Sequence, residues 1–313
     1  MISRERLEAK QVPIYFGAVV LALLAAWALP GTSRLSGAID PIVALMLFAT
    51  FLQVPMVELR HALRDLRFLG VLGLANFVAV PLLVAGLVPW MPADPLIRSA
   101  MLMVLLAPCI DYVVTFAHLG RADARALLAA TPLLLGAQMV LLPVYLSVFI
   151  GAQAAPLLPW EPFLSAFFRL IVAPLVLAAL CQAWMARAGS HPKVRRALGV
   201  LPVPATAVAL AVVVAAISPG VGLDVIRAAA PVYLAFAVLA PALGWMVAYH
   251  LPRPQRRAVA FSAATRNSLV VLPIGLAIPG AQPLVPAFIL TQTLVELAAE
   301  LVYVRVAAGR QRA

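Results

Sequence analysis

Apolar runs of about 17 to 25 residues, the length of a membrane-spanning helix, repeat along the whole chain between short polar or basic connections. The runs predict ten spans, near residues 12–30, 41–57, 68–89, 97–118, 126–150, 162–184, 199–218, 229–250, 258–278 and 284–306. The predicted fold is an all-α membrane protein of ten transmembrane helices, with residues 1–313 forming a single polytopic domain.

Composition agrees with a membrane protein and gives no sign of an enzyme. Apolar residues make up 64% of the chain and charged residues 11%, with a mean hydropathy of +1.03, whereas soluble domains are about 45–50% apolar and 25% charged. No nucleophile and base pair, metal cluster or phosphate loop occurs at a meaningful spacing. We therefore expect no catalysis, no cofactor and no bound metal. Cys109 and Cys181 fall in different spans and imply no disulfide framework.

Basic residues cluster in alternate connections, and this pattern predicts the orientation of the chain. One side carries most of the 23 lysines and arginines, namely Arg4, Arg6, Lys10, Arg60, Arg64, Arg67, Arg121, Arg125, Arg187, Lys193, Arg195, Arg196, Arg253, Arg256, Arg257, Arg305, Arg310 and Arg312. The opposite side has Arg34, Arg98 and Arg227. Cytoplasmic loops carry the excess of basic residues, so both termini are predicted to lie in the cytoplasm of a cell-membrane protein. The net charge of +11 is a topology signal, and no nucleic-acid partner is expected.

The ten spans divide into two halves of five, at approximately residues 12–150 and 162–306. An odd number of spans makes the second half enter the membrane in the opposite sense, as in transporters with inverted repeats. Gln138 of span five and Gln292 of span ten correspond at an offset of 154 residues. Sequence similarity between the halves is otherwise weak.

Each half carries an interrupted fourth span, which is span four or span nine of the chain. Pro108 interrupts the first, and the polar run ATRNS at residues 264–268 precedes Pro273 in the second. Proline removes a backbone donor and frees a carbonyl, which hydrocarbon tolerates only if protein or water supplies a partner. Interrupted helices at corresponding positions of two halves indicate a binding site near the middle of the bilayer. We therefore expect spans four and nine to cross, although Pro108 alone is equally compatible with a plain kink.

Five ionisable residues lie well inside the predicted spans: Asp111, Arg169, Arg266, Glu296 and Glu300. Each would cost about 2.5 to 3.5 kcal/mol at a helix centre, so such residues face the bundle interior and are functional candidates. If the interrupted helices cross, Asp111 and Arg266 are natural partners. They form either a neutralising pair that fixes the crossing or a charge relay driven by protonation of Asp111. Arg169 either pairs with one of the acids or extends to the membrane surface.

Span ten carries a polar stripe. Gln292, Glu296 and Glu300 are spaced by four residues and therefore share one helix face, which cannot face lipid. Glu296 lies deeper, and we interpret it as a substrate or proton group. Glu300 lies nearer the cytoplasm, where pairing with Arg305 is the alternative to a role in coupling.

Cys109 is the chemically informative residue of span four. A cysteine in a membrane helix usually packs as a small hydrophobe. Directly after Pro108 and beside Asp111 in a predicted cavity, its thiol is placed to act as a soft ligand, and soft ligands select thiophilic species. A single thiol assisted by oxygen atoms would hold such a solute weakly enough to release it.

Five segments carry a resemblance to a known family. They are LMLFATFLQVP at 45–55, ANFVAVP at 75–81, APCIDYVV at 107–114, RNSLVVLPIGLAI at 266–278 and TLVELAAEL at 293–301. Together they resemble the arsenite exporters of the bile acid, arsenite and riboflavin transporter superfamily. The resemblance implies a bile acid:sodium symporter-like fold, with a panel domain of spans 1, 2, 6 and 7. A core domain of the other six spans contains the crossing of discontinuous helices 4 and 9.

The resemblance also suggests which residues bind the solute. It ties Cys109 and Glu296 to arsenite extrusion, and we add Asn267 and Gln292 to the predicted substrate site. Further candidates are Asn76, Gln138 and Arg169. Asp111, Arg266 and Glu300 are predicted to serve in coupling or as a charge pair, and Pro108 as the structural helix break.

Asp111 and Arg266 depart from the family pattern, since close arsenite exporters have small polar residues and paired asparagines there. The bile acid:sodium symporters bind sodium around this crossing, and the fixed cation of Arg266 would repel it. We therefore predict a secondary-active exporter of arsenite or a related thiophilic oxyacid, linked to protons and independent of sodium. The alternative is a carrier of an organic anion, with Arg266 binding the carboxylate and Cys109 only packing. The expected partners are a small anion or neutral oxyacid, protons and the lipid bilayer.

Overall fold

The computed structural model describes residues 7, 10–52, 65–151, 161, 164–165, 168–187, 197–276, 278, 280 and 283–309. Parts of the predicted spans two, six and nine lie outside these residues, at 53–57, 162–163, 166–167 and 277. Several basic residues used for the orientation also lie outside them: Arg4, Arg6, Arg60, Arg64, Lys193, Arg195, Arg196, Arg310 and Arg312.

The apolar runs form helices because a helix satisfies its own backbone donors and acceptors where no water is present. The α-helices are α1 (Gln11–Ala28), α2 (Ile39–Phe51), α3 (Leu66–Leu74), α4 (Val80–Leu87), α5 (Pro95–Leu105), α6 (Tyr112–Leu119), α7 (Ala124–Ile150), α8 (Ala173–Arg187), α9 (Pro202–Ile217), α10 (Leu223–Val247), α11 (Arg253–Ala264), α12 (Ser268–Leu276) and α13 (Leu284–Gly309). A π-helical segment, Ala75–Ala79, joins α3 to α4, and another, Phe168–Val172, precedes α8.

Among the described residues, eight helical segments are long and apolar enough to cross a membrane. They are Gln11–Ala28, Thr32–Phe51, Leu66–Trp90, Ala124–Ile150, Phe168–Ala186, Pro202–Gly220, Leu223–Val247 and Leu284–Gly309. Predicted spans four and nine are each divided into two shorter helices, α5 with α6 and α11 with α12. The chain is thus an all-helical, multi-pass membrane protein whose fourth and ninth predicted spans are interrupted.

The chain divides into two compact units. The smaller unit takes the described residues of 1–55 and 160–220, and it contains α1, α2, α8 and α9. Within it, α9 packs against both α1 and α2, and α8 packs against α2. These helices correspond to predicted spans 1, 2, 6 and 7, which is the grouping that the resemblance implies for the panel domain.

The larger unit contains α3 to α7 and α10 to α13. Helix α10 packs against α11 and α13, and α13 packs against α5 and α12. Gly244 permits the close approach of α10 to α11, because a Cβ atom at this position would lie 2.7 Å from the Cβ of Ala263. Small residues serve this purpose in membrane helices, where backbones must come close for packing to stabilise a pair.

Candidate functional site: the crossing of two interrupted helices

The two interruptions meet in the larger unit. Pro108 and Arg266 form an isolated antiparallel bridge, in which the Cys109 N–H donates to the Thr265 carbonyl at 3.0 Å and the Asn267 N–H donates to the Ala107 carbonyl at 2.8 Å. Each break therefore supplies partners for the backbone groups that the other break releases, as hydrocarbon requires. The crossing expected from Pro108 and the polar run is present.

Arg266 is completely buried at the crossing. Its two Nη2 hydrogens are shared among three acceptors, the Asn76 Oδ1 at 3.0 Å, the Ala263 carbonyl at 2.7 Å and the Ser262 carbonyl. Its Nη1 reaches the Leu105 carbonyl at 3.4 Å. These carbonyls belong to the C-terminal ends of α5 and α11, where the helix dipole favours a positive charge. The guanidinium thus acts as a fixed cation for two half-helix ends.

Asn76 holds this arrangement from a third helix. It lies in the π-helical segment between α3 and α4 and is buried. Its Nδ2 donates to the Ser262 Oγ at 2.9 Å and to the Leu72 carbonyl at 3.1 Å, while its Oδ1 accepts from Arg266. A π-helical turn frequently marks a functional position, and here it places an amide against α11.

Asp111 caps the second half of the interrupted fourth span. Its Oδ1 accepts from the Tyr112 N–H at 2.6 Å, at the first residue of α6, and from the Cys109 thiol at 3.0 Å. Its Oδ2 is buried without a hydrogen-bond partner among the described residues. Asp111 and Arg266, expected to be direct partners, are thus each bonded to other groups.

Glu296 of α13 connects both interruptions. Its Oε1 accepts from the Tyr112 hydroxyl at 2.6 Å, and its Oε2 accepts from the Arg266 backbone N–H at 2.7 Å and from the Gln292 Nε2 at 2.6 Å. Glu296 is 3% exposed. Tyr112 was not among the predicted site residues, although its hydroxyl beside Asp111 in an interrupted span was the available signal.

Glu300 is also buried, one turn further along α13. Its Oε1 is hydrogen-bonded to the Thr265 Oγ1, and its Oε2 has no partner within the described part of the chain. Arg305, the alternative partner considered for Glu300, is exposed. The stripe of Gln292, Glu296 and Glu300 is therefore buried along its length and bonded to residues of the crossing.

Two amides add further unpaired groups beside the crossing. The Asn267 Nδ2 donates to the Gln138 Oε1 at 3.3 Å, and the Ser268 Oγ donates to the Gln292 Oε1 at 3.3 Å. The Asn267 Oδ1 and the Gln138 Nε2 are buried and have no hydrogen-bond partner in the part of the chain that the structure describes. Buried polar groups are normally hydrogen-bonded, so a cluster of exceptions indicates a site for an additional group.

Arg169 has a different environment. It lies in the smaller unit, in the π-helical segment before α8, and its side chain is exposed. Its Nε donates to the Ser165 carbonyl at 3.4 Å, one turn earlier. Hydropathy had grouped this arginine with Arg266, but only Arg266 belongs to the crossing.

Comparison with known proteins identifies the family. Residues 40–223 match the sodium bile acid symporter family, and this range includes Pro108, Cys109 and Asp111. A comparison with curated proteins gave no match. Members of this family are membrane transporters rather than enzymes. Because the match spans more than half of the 313 residues, the chain belongs to the sodium bile acid symporter family.

Proposed function

We propose that this transporter exports arsenite or a related thiophilic oxyacid, and that transport is linked to protons and independent of sodium. The observation that carries the proposal is the placement of the Cys109 thiol next to Asp111 at the crossing, together with unpaired buried polar atoms on Asp111, Asn267 and Gln138. A soft atom beside hydrogen-bonding groups suits a solute that has a thiophilic centre and hydroxyl groups.

The chemistry of such a solute fits these groups. Arsenous acid can exchange one hydroxyl for a thiol: an arsenic–sulfur bond forms, an arsenic–oxygen bond breaks, and the thiol proton leaves with the hydroxyl as water. The Asp111 Oδ1 accepts the Cys109 hydrogen bond and is placed to assist removal of that proton. The remaining hydroxyls can donate to the Asn267 Oδ1 and accept from the Gln138 Nε2, which lack other partners in the described chain.

Independence from sodium is supported by the surroundings of Arg266. In transporters with interrupted helices, the C-terminal ends of half-helices and freed carbonyls coordinate the coupling cation. Here the guanidinium occupies that kind of position, bonded to carbonyls of α5 and α11 and to Asn76. A cation that is covalently part of the chain cannot be exchanged across the membrane, so it cannot carry an ion gradient.

Linkage to protons is supported by the hydrogen bonds of Glu300. The Thr265 hydroxyl has one hydrogen but contacts two acceptors, the Phe261 carbonyl at 2.7 Å and the Glu300 Oε1. If Thr265 donates to Phe261, the bond to Glu300 needs a proton on the carboxyl group. Glu300 and the neighbouring Glu296 are therefore the groups we assign to proton binding, with Asp111 assisting at the thiol.

The proposed topology is ten crossings in two inverted repeats of five, with both termini in the cytoplasm. Two interrupted helices, at predicted positions four and nine, meet with antiparallel backbone hydrogen bonds, which is the arrangement expected from oppositely oriented halves. The eight long spans and the two interrupted ones account for ten crossings. The excess of basic residues in alternate connections supports the orientation.

The decisive experiment is Cys109→Ser, with Cys181→Ser as the matched control. Cys181 is the other cysteine and lies half-buried in the smaller unit. We expect everted vesicles with Cys109→Ser to lose arsenite accumulation, measured by arsenic mass spectrometry, while Cys181→Ser vesicles retain it. Unchanged accumulation with Cys109→Ser would contradict a thiol ligand. Imposed proton and sodium gradients then test coupling, and stimulation by sodium would contradict the role of Arg266.

The second candidate is a carrier of an organic anion, which the family match favours because the family is described by bile acid transport. In this case Arg266 would bind the carboxylate and Cys109 would only pack. The hydrogen bonds of the guanidinium to Asn76 and to helix-end carbonyls argue against it, since those bonds would have to break. Uptake of a labelled bile acid by Cys109→Ser vesicles would favour this candidate.

A further inference from the structure

A groove of about 640 Å³ opens at one end of the larger unit, where α10 ends and α11 begins. Its walls come from α10, α11 and α13. Val238, Ala242 and Met246 share one face of α10 because they are four residues apart, and Val306 of α13 also lines the groove. Val238, Met246 and Val306 are 71%, 59% and 54% exposed. On a membrane protein, such apolar exposed walls face acyl chains.

Two arginines line the same groove. Arg253 is the first residue of α11, and Arg257 follows one turn later on the same face. Arg257 also donates to the Arg121 carbonyl at 3.4 Å, which holds its side chain near the end of α6. The groove therefore combines an apolar wall with a positively charged end.

Aromatic side chains beside the two arginines indicate where this charged end lies relative to the membrane surface. Trp245 lines the groove, and the guanidinium carbon of Arg256 lies 4.0 Å from the centroid of its ring. The Arg256 Nε also donates to the Trp245 carbonyl at 2.7 Å. Tyr249, one turn further along the chain, is 73% exposed. Tryptophan and tyrosine are enriched at the level of the lipid headgroups. The arginines thus lie at headgroup level, and the apolar walls lead from there toward the acyl region.

We propose that this groove binds an anionic phospholipid. The phosphate group is held by Arg253 and Arg257, and an acyl chain lies along Val238, Ala242 and Met246. Charge complementarity selects the occupant, because basic pockets between transmembrane helices bind anionic headgroups. A soluble phosphate would satisfy the arginines but leave the apolar walls unoccupied. The proposal is independent of the transported solute.

The test uses the full chain in detergent, with native mass spectrometry to follow titration by dioleoylphosphatidylglycerol or dioleoylphosphatidylcholine. We expect tighter binding of the phosphatidylglycerol. Arg253→Gln with Arg257→Gln should weaken this binding about 25-fold, at about fivefold for each arginine near a headgroup. The control pair Arg34→Gln with Arg227→Gln removes the same charge from exposed positions elsewhere and should leave the affinity within about twofold of the wild type, since neither arginine lines the groove.

A second variant tests the apolar wall without changing charge. Ala242→Trp fills the groove and should also weaken phosphatidylglycerol binding, whereas Ile226→Trp, at an exposed position on another face of the same helix, should not. Equal affinity for the two lipids, unchanged binding by the double arginine variant, or equal losses in test and control variants would overturn the proposal. Competition by glycerol 3-phosphate as effective as that of the lipid would also overturn it, in favour of a soluble-phosphate site.

Discussion

Removing the guanidinium of Arg266 should destabilise the crossing more than removing any other arginine side chain that the structure describes. The perturbation is Arg266→Ala. It deletes a completely buried cation and removes the donor to the Asn76 Oδ1 and to the carbonyls of Leu105, Ser262 and Ala263. It also removes the positive charge of Arg266 from the surroundings of Glu296.

The magnitude follows from the bonds lost. Hydrogen bonds to a charged group contribute about 1.5 to 3 kcal/mol each. The two Nη2 hydrogens are shared among three acceptors and Nη1 adds the bond to the Leu105 carbonyl, so three bonds set an upper bound of roughly 4.5 to 9 kcal/mol. Water that enters the vacated space recovers part of this. Deleting one member of a buried charged network typically costs about 3 to 5 kcal/mol, and we expect the loss of unfolding free energy to lie in that range.

The assay is unfolding by SDS titration, followed by far-ultraviolet circular dichroism in choline chloride. Arg169→Ala is the matched control, because Arg169 is exposed and has a 3.4 Å bond to the Ser165 carbonyl. It should change the unfolding free energy by less than about 0.5 kcal/mol, as surface substitutions usually do. Equal losses in the two variants, or an Arg266→Ala protein within about 1 kcal/mol of the wild type, would refute the structural role of this cation.

Repeating the titration in sodium chloride sharpens the result. The oxygen atoms that Arg266 leaves behind resemble the ligands of a small hard cation. If sodium enters the space vacated in Arg266→Ala, a sodium concentration ten times its dissociation constant would restore about 1.4 kcal/mol of unfolding free energy. The wild type should show no such difference between the two salts, because its own guanidinium occupies the position.

Two further substitutions test the neighbouring contacts. Tyr112→Phe removes the donor to the Glu296 Oε1; it should lower the unfolding free energy by about 1.5 to 3 kcal/mol and slow transport. The control Tyr145→Phe loses a bond to a carbonyl and should leave the transport rate unchanged. Equal transport rates in the two variants would contradict the role of Glu296. Gly244→Ala places a Cβ 2.7 Å from a side chain on α11 and should lower the unfolding free energy by about 1 to 3 kcal/mol. The control is Gly17→Ala, whose added Cβ meets nothing within 4 Å. Equal unfolding free energies for the two variants would refute tight packing of α10 on α11.

The positions of the interruptions could be predicted from the sequence because they have a local cause. Pro108 cannot donate a backbone hydrogen bond, and the polar run at 264–268 is out of place in an apolar span. Both breaks are present and face each other. Counting spans by length and composition alone gives eight in the described residues, since each half of an interrupted helix is too short for that criterion.

The partner of each charge could not be predicted in the same way. Asp111 and Arg266 have opposite signs and lie near one crossing, which favours a direct pair. The sequence does not show the free carbonyls at the ends of α5 and α11, and these carbonyls are what the guanidinium binds. Hydropathy also cannot distinguish Arg169 from Arg266. Both lie in apolar runs, and whether such an arginine is exposed or buried depends on tertiary packing.

Each charged side chain at the crossing is bonded to groups at the end of a half-helix rather than to a side chain of opposite charge. The C-terminal ends of α5 and α11 carry partial negative charge and receive the cation of Arg266, as the helix dipole favours. The N-terminal end of α6 carries partial positive charge and receives Asp111, while Glu296 accepts the Arg266 N–H just before α12. These bonds of the carboxylates do not involve the guanidinium. In the proposed proton-linked mechanism, the acids therefore change state beside a crossing that the guanidinium keeps fixed.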